Sequence, residues 1–327
     1  MFKSIFSESF NNFLCLVRQG RAYKPPLVIA IEPSNICNFK PYCKICPLNS
    51  YTGKKGKMSL EQFKGIVSEL DFVKAVDISG AGEPFIFDDF FDMVKFCKKR
   101  NKTVSTITNG SLLNEKTCCK IIDSGIDTIS ISVDAAKDET YKEIRPGGDF
   151  NKVVENINHL AWERDKAGSN LRIVITVVMM RQNFDELLGI VDLFSKLKTV
   201  FSFYNLLLHD KAELARFEHS LMSMDKKYVQ SRLSELEENI KGKKLVADIQ
   251  FPKVTPKWGR CRKLSSAVSI DYKGELRFCC TGREKTFGKI ENGNFFKIWN
   301  KAEFTKARKQ MAMGIMPKEC IVDCVNF

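Results

Sequence analysis

L27-V-I-A-I31 is a short apolar run, and the segment leaving it, I31-E-P-S-N-I-C-N-F-K-P-Y-C-K-I-C-P47, sets cysteines at 37, 43 and 46. Read as a strand followed by a loop, it is the first unit of a series. Further apolar runs occupy Ala75–Ser79, Thr103–Thr108, Thr128–Val133, Ile173–Met179 and Val200–Leu207. Between them lie helix-like stretches at Ser59–Leu70, Asp88–Arg100, Asn114–Ser124, Phe150–Ala167 and Phe184–Lys196. Ser59 with Gln62 three residues on predicts a capping box, and Gly125 predicts a helix end. Six strand–helix alternations predict an α/β fold with a parallel sheet covered by helices. Periodicity leaves open whether the sheet curls into a partial barrel or stays flat and doubly wound. Either way, functional groups belong at the carboxyl ends of the strands.

After that series the pattern changes. Residues 211–244 are charged and helical, and 251–257 form a proline-bearing connection. Ala267–Asp271 and Leu276–Cys279 flank Lys273-Gly274 and predict a β-hairpin, with short helices expected near Phe295–Asn300 and Ala302–Met313. These changes divide the chain into an amphipathic helix at 1–24, a main domain at 25–250 and a smaller domain at 251–327.

The composition, with 44% hydrophobic and 28% charged residues over 327 positions, indicates a folded globular protein. No apolar run approaches the roughly 20 residues that span a bilayer. Residues 1–20 do not read as a secretory signal; a cytoplasmic location is expected, with the Phe2, Phe6, Phe10, Phe13, Val17 stripe packed on the body of the protein. A net charge of +13 is compatible with an acidic or phosphorylated partner, but the lysines are scattered and no aromatic-interleaved nucleic-acid patch emerges.

Twelve cysteines in a chain without an export signal point to metal ligands or core residues rather than disulfides. Seven fall into spaced sets: Cys37, Cys43, Cys46 and Cys261, Cys279, Cys320, Cys324. The other five, Cys15, Cys97, Cys118, Cys119 and Cys280, are expected to be small buried hydrophobes. The first set has no His or further Cys nearby to complete a structural zinc site. Three thiolates on a four-iron cluster instead leave one iron without a protein ligand.

Here the sequence resembles the radical S-adenosylmethionine (SAM) superfamily. C-x5-C-x2-C resembles its signature, usually C-x3-C-x2-C, in the loop after the first barrel strand. G-A-G-E-P at 80–84, T-N-G at 108–110, I-S-V-D at 131–134 and Y-K-E-I-R-P-G-G-D-F at 141–150 follow in the family's order. The resemblance extends through V-V-M-M-R-Q-N at 177–183 and covers most of residues 27–208. It departs in the two extra residues between Cys37 and Cys43, where Pro41 fixes its own φ and the path of the loop stays open.

The resemblance implies a partial (β/α)6 barrel of the TIM type and a [4Fe–4S] cluster on Cys37, Cys43 and Cys46. It further implies SAM bound at the open iron and cleaved to a 5′-deoxyadenosyl radical. Gly80 and Gly82 lack Cβ atoms that would obstruct a ligand; the resemblance puts this segment, with Glu83, at the SAM amino group, the alternative being a tight turn. Asp134 and Ser132 are expected at ribose or the methionine carboxylate, and Asn109 and Arg145 in the same polar shell. For Asn109 a plain Thr-Asn-Gly turn is the equal alternative. Ile45 is expected to pack on adenine.

The second cysteine set, with Gly274 in C-x12-G-x4-C and a later C-x3-C, resembles the twitch/SPASM extension of this superfamily. That implies an auxiliary [4Fe–4S] cluster on Cys261, Cys279, Cys320 and Cys324, with Cys280 as the alternative to Cys279 and a zinc knot as the alternative group. A fully ligated cluster suits a redox relay, so the expected reaction is oxidation or cross-linking of a peptide or small molecule. A reducing partner such as flavodoxin or ferredoxin is expected. RNA modification and radical epimerisation are the alternatives, and a pure electron carrier would need no open iron. No residue is singled out for handling the substrate proton.

Overall fold

The computed structural model describes residues 26–206, 219–250, 267–277, 286–315 and 317. The expected helix at 1–24, Cys15 and all of Cys261, Cys279, Cys280, Cys320 and Cys324 lie outside the described residues.

Seven strands alternate with helices: β1 (Val28–Ile31), β2 (Ala75–Ile78), β3 (Thr103–Thr108), β4 (Thr128–Ser132), β5 (Arg172–Met179), β6 (Val200–Asn205) and β7 (Val246–Gln250). The helices are α1 (Leu60–Glu69), α2 (Phe90–Lys99), α3 (Glu115–Ser124), α4 (Asp138–Ile144), α5 (Phe150–Lys166), α6 (Leu187–Phe194) and α7 (Lys226–Gly242). The Ser59 hydroxyl accepts the Gln62 amide at 3.1 Å to open α1, and Gly125 closes α3 at φ 68°. A left-handed C-cap of this kind suits glycine because no Cβ is strained.

All pairings from β1 to β7 are parallel and follow chain order. That order decides between the two expected sheets. A doubly wound sheet reverses direction once, whereas winding one way with right-handed crossovers puts every helix on one face and lets the twist curl the sheet. Ile29, Ile31, Val76, Ile78, Ile129, Ile131, Phe201 and Phe203 share one continuous core with Phe63, Val67, Met93, Ile157 and Leu160 of the helices. Each such side chain contributes roughly 1.5–3 kcal/mol on full burial. The opposite, half-exposed face carries Ala30, Asp77, Ser105, Ser130, Ser132, Thr176 and Ser202, small and mostly polar.

Two features go beyond the sequence reading. Within the charged stretch ending at Lys244, α7 is the crossover helix to β7, a seventh parallel strand too polar (V-A-D-I-Q) and too lightly buried to register as an apolar run. The expected hairpin joins the main sheet. Its strand β8 (Ala267–Ile270) pairs parallel with β1, β9 (Glu275–Arg277) returns antiparallel, and β10 (Thr286–Lys289) adds to β9. Two expected short helices follow as α8 (Phe295–Trp299) and α9 (Ala302–Ala312), where Phe295, Trp299 and Phe304 pack together.

Cys97 and Cys118 are core residues as expected, and burial pushes both thiols up to about 12. Cys119 is not: it is exposed, because adjacent helical positions point about 100° apart and α3 turns Cys118 inward. No helix among the described residues is long and apolar enough to cross a membrane.

Candidate active site at the carboxyl ends of the strands

The loop leaving β1 carries Cys37, Cys43 and Cys46 across the carboxyl end of the sheet, and none of the three is in a disulfide. Local hydrogen bonds fix its second half. Cys46 N–H donates to the Cys43 carbonyl at 2.9 Å, the Asn49 amide to the same carbonyl at 2.7 Å, and Lys44 N–H to the Ile144 carbonyl at 2.8 Å. The inserted stretch, with a cis Lys40–Pro41 peptide, rests on the Arg145–Gly148 turn. A Cβ on Gly147 would sit 2.4 Å from the Pro41 carbonyl and 2.5 Å from the Lys40 nitrogen, and one on Gly148 would meet the Phe39 ring. Phe39 is buried, so the two extra residues are anchored on the body of the protein.

Each of the three sulfurs accepts an N–H donor. Leu48 N–H reaches Cys46 Sγ at 3.4 Å, the Arg145 guanidinium reaches Cys43 Sγ at 3.6 Å, and the Asn109 amide reaches Cys37 Sγ at 3.9 Å. Burial raises the Cys43 thiol pKa while Arg145 opposes it, and burial likewise raises Cys37. The net direction is upward for both thiols, and Arg145 and Asn109 oppose it in favour of the thiolate that metal binding requires. Donors of this type are also what sets the potential of an iron–sulfur cluster.

Arg145 is itself held. Its Nε and one terminal nitrogen donate to Asp134 Oδ2 at 2.8 and 2.5 Å, freeing the other nitrogen for Cys43. Burial would lower the pKa of this guanidinium, but Asp134 and Cys43 outweigh it and the net direction is upward. Asp134, expected at the ribose, is a buried residue whose second oxygen accepts the Val178 amide at 2.8 Å, so both oxygens have protein partners and one of them holds Arg145.

Asn109 stands in the Thr-Asn-Gly turn that was one of its two expected readings. Its side-chain oxygen accepts the Ser111 amide at 2.9 Å in a turn completed by Gly110 at φ 78°, and its amide points to Cys37 and to Asn38 Oδ1. Glu83 locks this turn: its carboxyl accepts the Asn109 N–H at 2.8 Å and the Thr108 hydroxyl at 2.6 Å. Burial pushes the Glu83 carboxyl up to about 7, against the pull of those two donors. Glu83 thus acts here on the end of β3, and it is buried.

The two glycines of the G-A-G-E-P segment make their close approach to protein. A Cβ on Gly82 would lie 2.4 Å from the Ser34 carbonyl and 2.6 Å from the Ile36 carbonyl, at the root of the cysteine loop. One on Gly80 would lie 2.3 Å from the Glu32 side chain.

Glu32 is a site residue that the sequence reading missed. It is buried, accepts the Ala81 amide at 2.7 Å, and pairs at 2.7 Å with Arg277 of β9. No local pattern announces the pair, because the partners are 245 positions apart and meet only through the β1–β8 register.

Ser132 ends β4 on the half-exposed face, opposite Thr176 in the β4–β5 register. Ile45 packs on a small apolar cluster of Ile144, Met180 and Leu206, with Val178, beside the cysteine loop. Among the described residues no three His, Cys, Asp or Glu side chains converge closely enough to hold a single metal ion. Three thiols on one loop, each meeting an N–H donor, have the donor chemistry of iron–sulfur ligands.

The family model described as "Radical SAM superfamily" matches residues 31–194, just over half of the chain, and that described as "Iron-sulfur cluster-binding domain" matches residues 261–325. The mycofactocin maturase MftC of Mycolicibacterium smegmatis is 28% identical over 171 residues, covering 51% of this chain and 41% of that protein. A probable GTP 3′,8-cyclase of Methanococcus maripaludis is 35% identical over 144 residues, 43% of this chain and 45% of that protein. The chain thus spans less than half the length of these curated relatives. In fold it is similar to Streptococcus suis SuiB, crystallised with S-adenosylmethionine, at a TM-score of 0.71 and 16% identity over 91% of this chain and 71% of that one.

Proposed function

The chain belongs to the radical SAM superfamily, and from that premise we propose that Cys37, Cys43 and Cys46 hold its SAM-binding [4Fe–4S] cluster and that it oxidises or cross-links a peptide or small molecule. The superfamily brings a [4Fe–4S] cluster and SAM, and the C-terminal domain brings auxiliary iron–sulfur chemistry. When bound, these groups supply a 5′-deoxyadenosyl radical and an electron acceptor. The observation that carries the assignment is the set of three N–H donors meeting the three sulfurs of one strand-end loop.

The chain's own residues have the following parts in this reading. Arg145 brings positive charge to the Cys43 sulfur, with Asp134 fixing its direction. Asn109, locked by Glu83, donates to the Cys37 sulfur. The apolar cluster around Ile45 offers a surface for an adenine ring, and Ser132 offers a hydroxyl on the same end of the sheet. The half-exposed face lined by Asp77, Ser105, Ser130, Thr176 and Ser202 is the wall against which substrate lies.

Taking one hydrogen atom leaves a substrate radical, which loses one further electron and one proton to become a stable oxidised product. Cys261, Cys279, Cys320 and Cys324 would hold the acceptor of that electron. A peptide is the favoured substrate: the matched relative MftC is a maturase, and SuiB was also crystallised with its precursor peptide SuiA. Reconstitution without oxygen, followed by SAM and dithionite, tests the proposal. About eight irons per chain, two four-iron clusters' worth, and release of 5′-deoxyadenosine are expected. A chain that binds iron but leaves SAM intact would refute it.

A further inference from the structure

Beside the inserted half of the cysteine loop lies a concentration of positive charge that the reaction at the strand ends does not use. Lys40 and Lys55 both place their ammonium nitrogens over the Tyr42 ring, 3.5 and 4.3 Å from its centroid. A ring face attracts a cation, but two cations on one ring repel each other. Burial and the neighbouring Lys40 charge together lower the Lys55 pKa. Lys54 and Lys57 flank them, and all four lysines are exposed. Among the described residues none of the four forms an ion pair with a carboxylate, whereas Lys44 nearby is paired with Glu143.

The backbone beneath this charge is built and rigid. Asn35 donates its amide to the Lys54 carbonyl at 3.2 Å and accepts the Gly56 N–H at 2.8 Å. The Ser34 hydroxyl donates to the Gly56 carbonyl at 3.1 Å, and Tyr272 of the hairpin donates to the Lys54 carbonyl at 2.6 Å. A β-bridge joins Ser34 to Lys57. The segment bearing Lys54, Lys55 and Lys57 is thus pinned to the cysteine loop on one side and to the hairpin on the other. Little entropy remains to be lost when a partner meets it.

We propose that Lys40, Lys54, Lys55 and Lys57, arranged around Tyr42, form the docking surface for an acidic electron-donor protein that reduces the cluster held by the neighbouring cysteines. This rests on the cluster assignment above and adds where its electron enters. Unpaired like charges held together are stabilised by a negative partner, and charge of this kind steers encounter more than it deepens affinity. A small charged patch matches the brief, low-area contacts of electron-transfer proteins. Position selects a donor over a substrate. Tyr42 is bonded directly to Cys43, so a protein seated there is within a few bonds of an iron ligand. A substrate must instead reach the half-exposed face of the sheet.

The test uses the double charge reversal Lys40→Glu/Lys55→Glu. Its control is Lys226→Glu/Lys227→Glu at the exposed start of α7, which changes net charge equally. Flavodoxin is the probe. Its Kd for each full-length protein is titrated at low and high salt, and 5′-deoxyadenosine is followed with reduced flavodoxin and, separately, with dithionite. Reversal at 40 and 55 should weaken flavodoxin binding about tenfold or more at low salt and flatten its salt dependence. Flavodoxin-driven cleavage should fall with it while dithionite-driven cleavage is kept, and Lys40→Arg/Lys55→Arg should bind as wild type. An unchanged flavodoxin Kd, or equal weakening by the α7 control, overturns the proposal. So does salt-dependent binding of RNA or an acidic peptide that the reversal abolishes while flavodoxin binding stays intact. If wild type cleaves no SAM with dithionite, the cluster assignment fails while the Kd comparison still decides the docking surface.

Discussion

Asp134–Arg145 and Glu32–Arg277 are both buried carboxylate–guanidinium pairs at the carboxyl end of the sheet, one beyond β4 and the other beyond β1. They differ in balance and in reach. Arg145 commits two nitrogens to one Asp134 oxygen and the third to the Cys43 sulfur, a one-to-one pair aimed at the cysteine loop. Arg277 serves two acids, Glu32 at 2.7 Å and Asp271 at 3.7 Å, and its buried Nε has no partner among the described residues. The first pair joins residues 11 positions apart; the second ties the C-terminal hairpin to the glycine loop across 245 positions. The first is therefore an aiming device and the second a clamp between parts of the chain.

Removing the aiming arginine should have the largest effect. Arg145→Ala leaves Asp134 buried without its cation, which costs on the order of 3–5 kcal/mol, and strips Cys43 of its donor. Loss of SAM cleavage together with a lowered urea midpoint is the expected result, and cleavage at the wild-type rate would deny Arg145 any role at the sulfur. Arg277→Ala should cost about 3 kcal/mol, somewhat less because Glu32 keeps its bond to the Ala81 amide. Limited proteolysis should then release the hairpin region before the β2–β6 core is cut; simultaneous cutting would mean the pair is no clamp.

The excess acid of the clamp makes a smaller, pH-dependent difference. Burial raises the Asp271 carboxyl above its ordinary value, with Arg277 and two backbone N–H groups opposing. Its charged form is thus disfavoured in the fold relative to the unfolded chain, where the pKa is about 3.9. Its stabilising contribution is complete below that value and is lost as pH rises through the raised pKa. Asp271→Asn should flatten this fall in urea midpoints measured upward from pH 4, and an unchanged slope would put its source elsewhere. Smallest of all, Lys44→Met breaks only the half-exposed pair with Glu143 and should shift stability by under about 1 kcal/mol.

The same contrast marks what could be read from residues alone. Asp134 stands just past β4 and Arg145 just past α4, each in a motif of the resemblance, but their partnership depends on burial that a motif does not express. Neither Glu32 nor Arg277 was singled out, because the register between β1 and β8 leaves no local signal. The glycines were expected to let a ligand come close; the contact that the fold shows is Gly82 against the Ser34 and Ile36 carbonyls, visible only once the loop is folded. Apolar runs marked β1 to β6, whereas β7 escaped because an edge strand needs little apolar surface. The three-cysteine loop was legible as a metal site from spacing. Its donors, from Arg145, Asn109 and Leu48, required the fold.

The most direct measurement of the central claim is the triple variant Cys37→Ala/Cys43→Ala/Cys46→Ala, reconstituted without oxygen and assayed for iron and 5′-deoxyadenosine. The strand-end loop holding the SAM-binding cluster predicts that iron falls by about half, to one four-iron cluster. It also predicts that SAM cleavage ceases while the far-ultraviolet circular dichroism of the parallel sheet and its helices is retained. Full iron content, or continued release of 5′-deoxyadenosine, would contradict it.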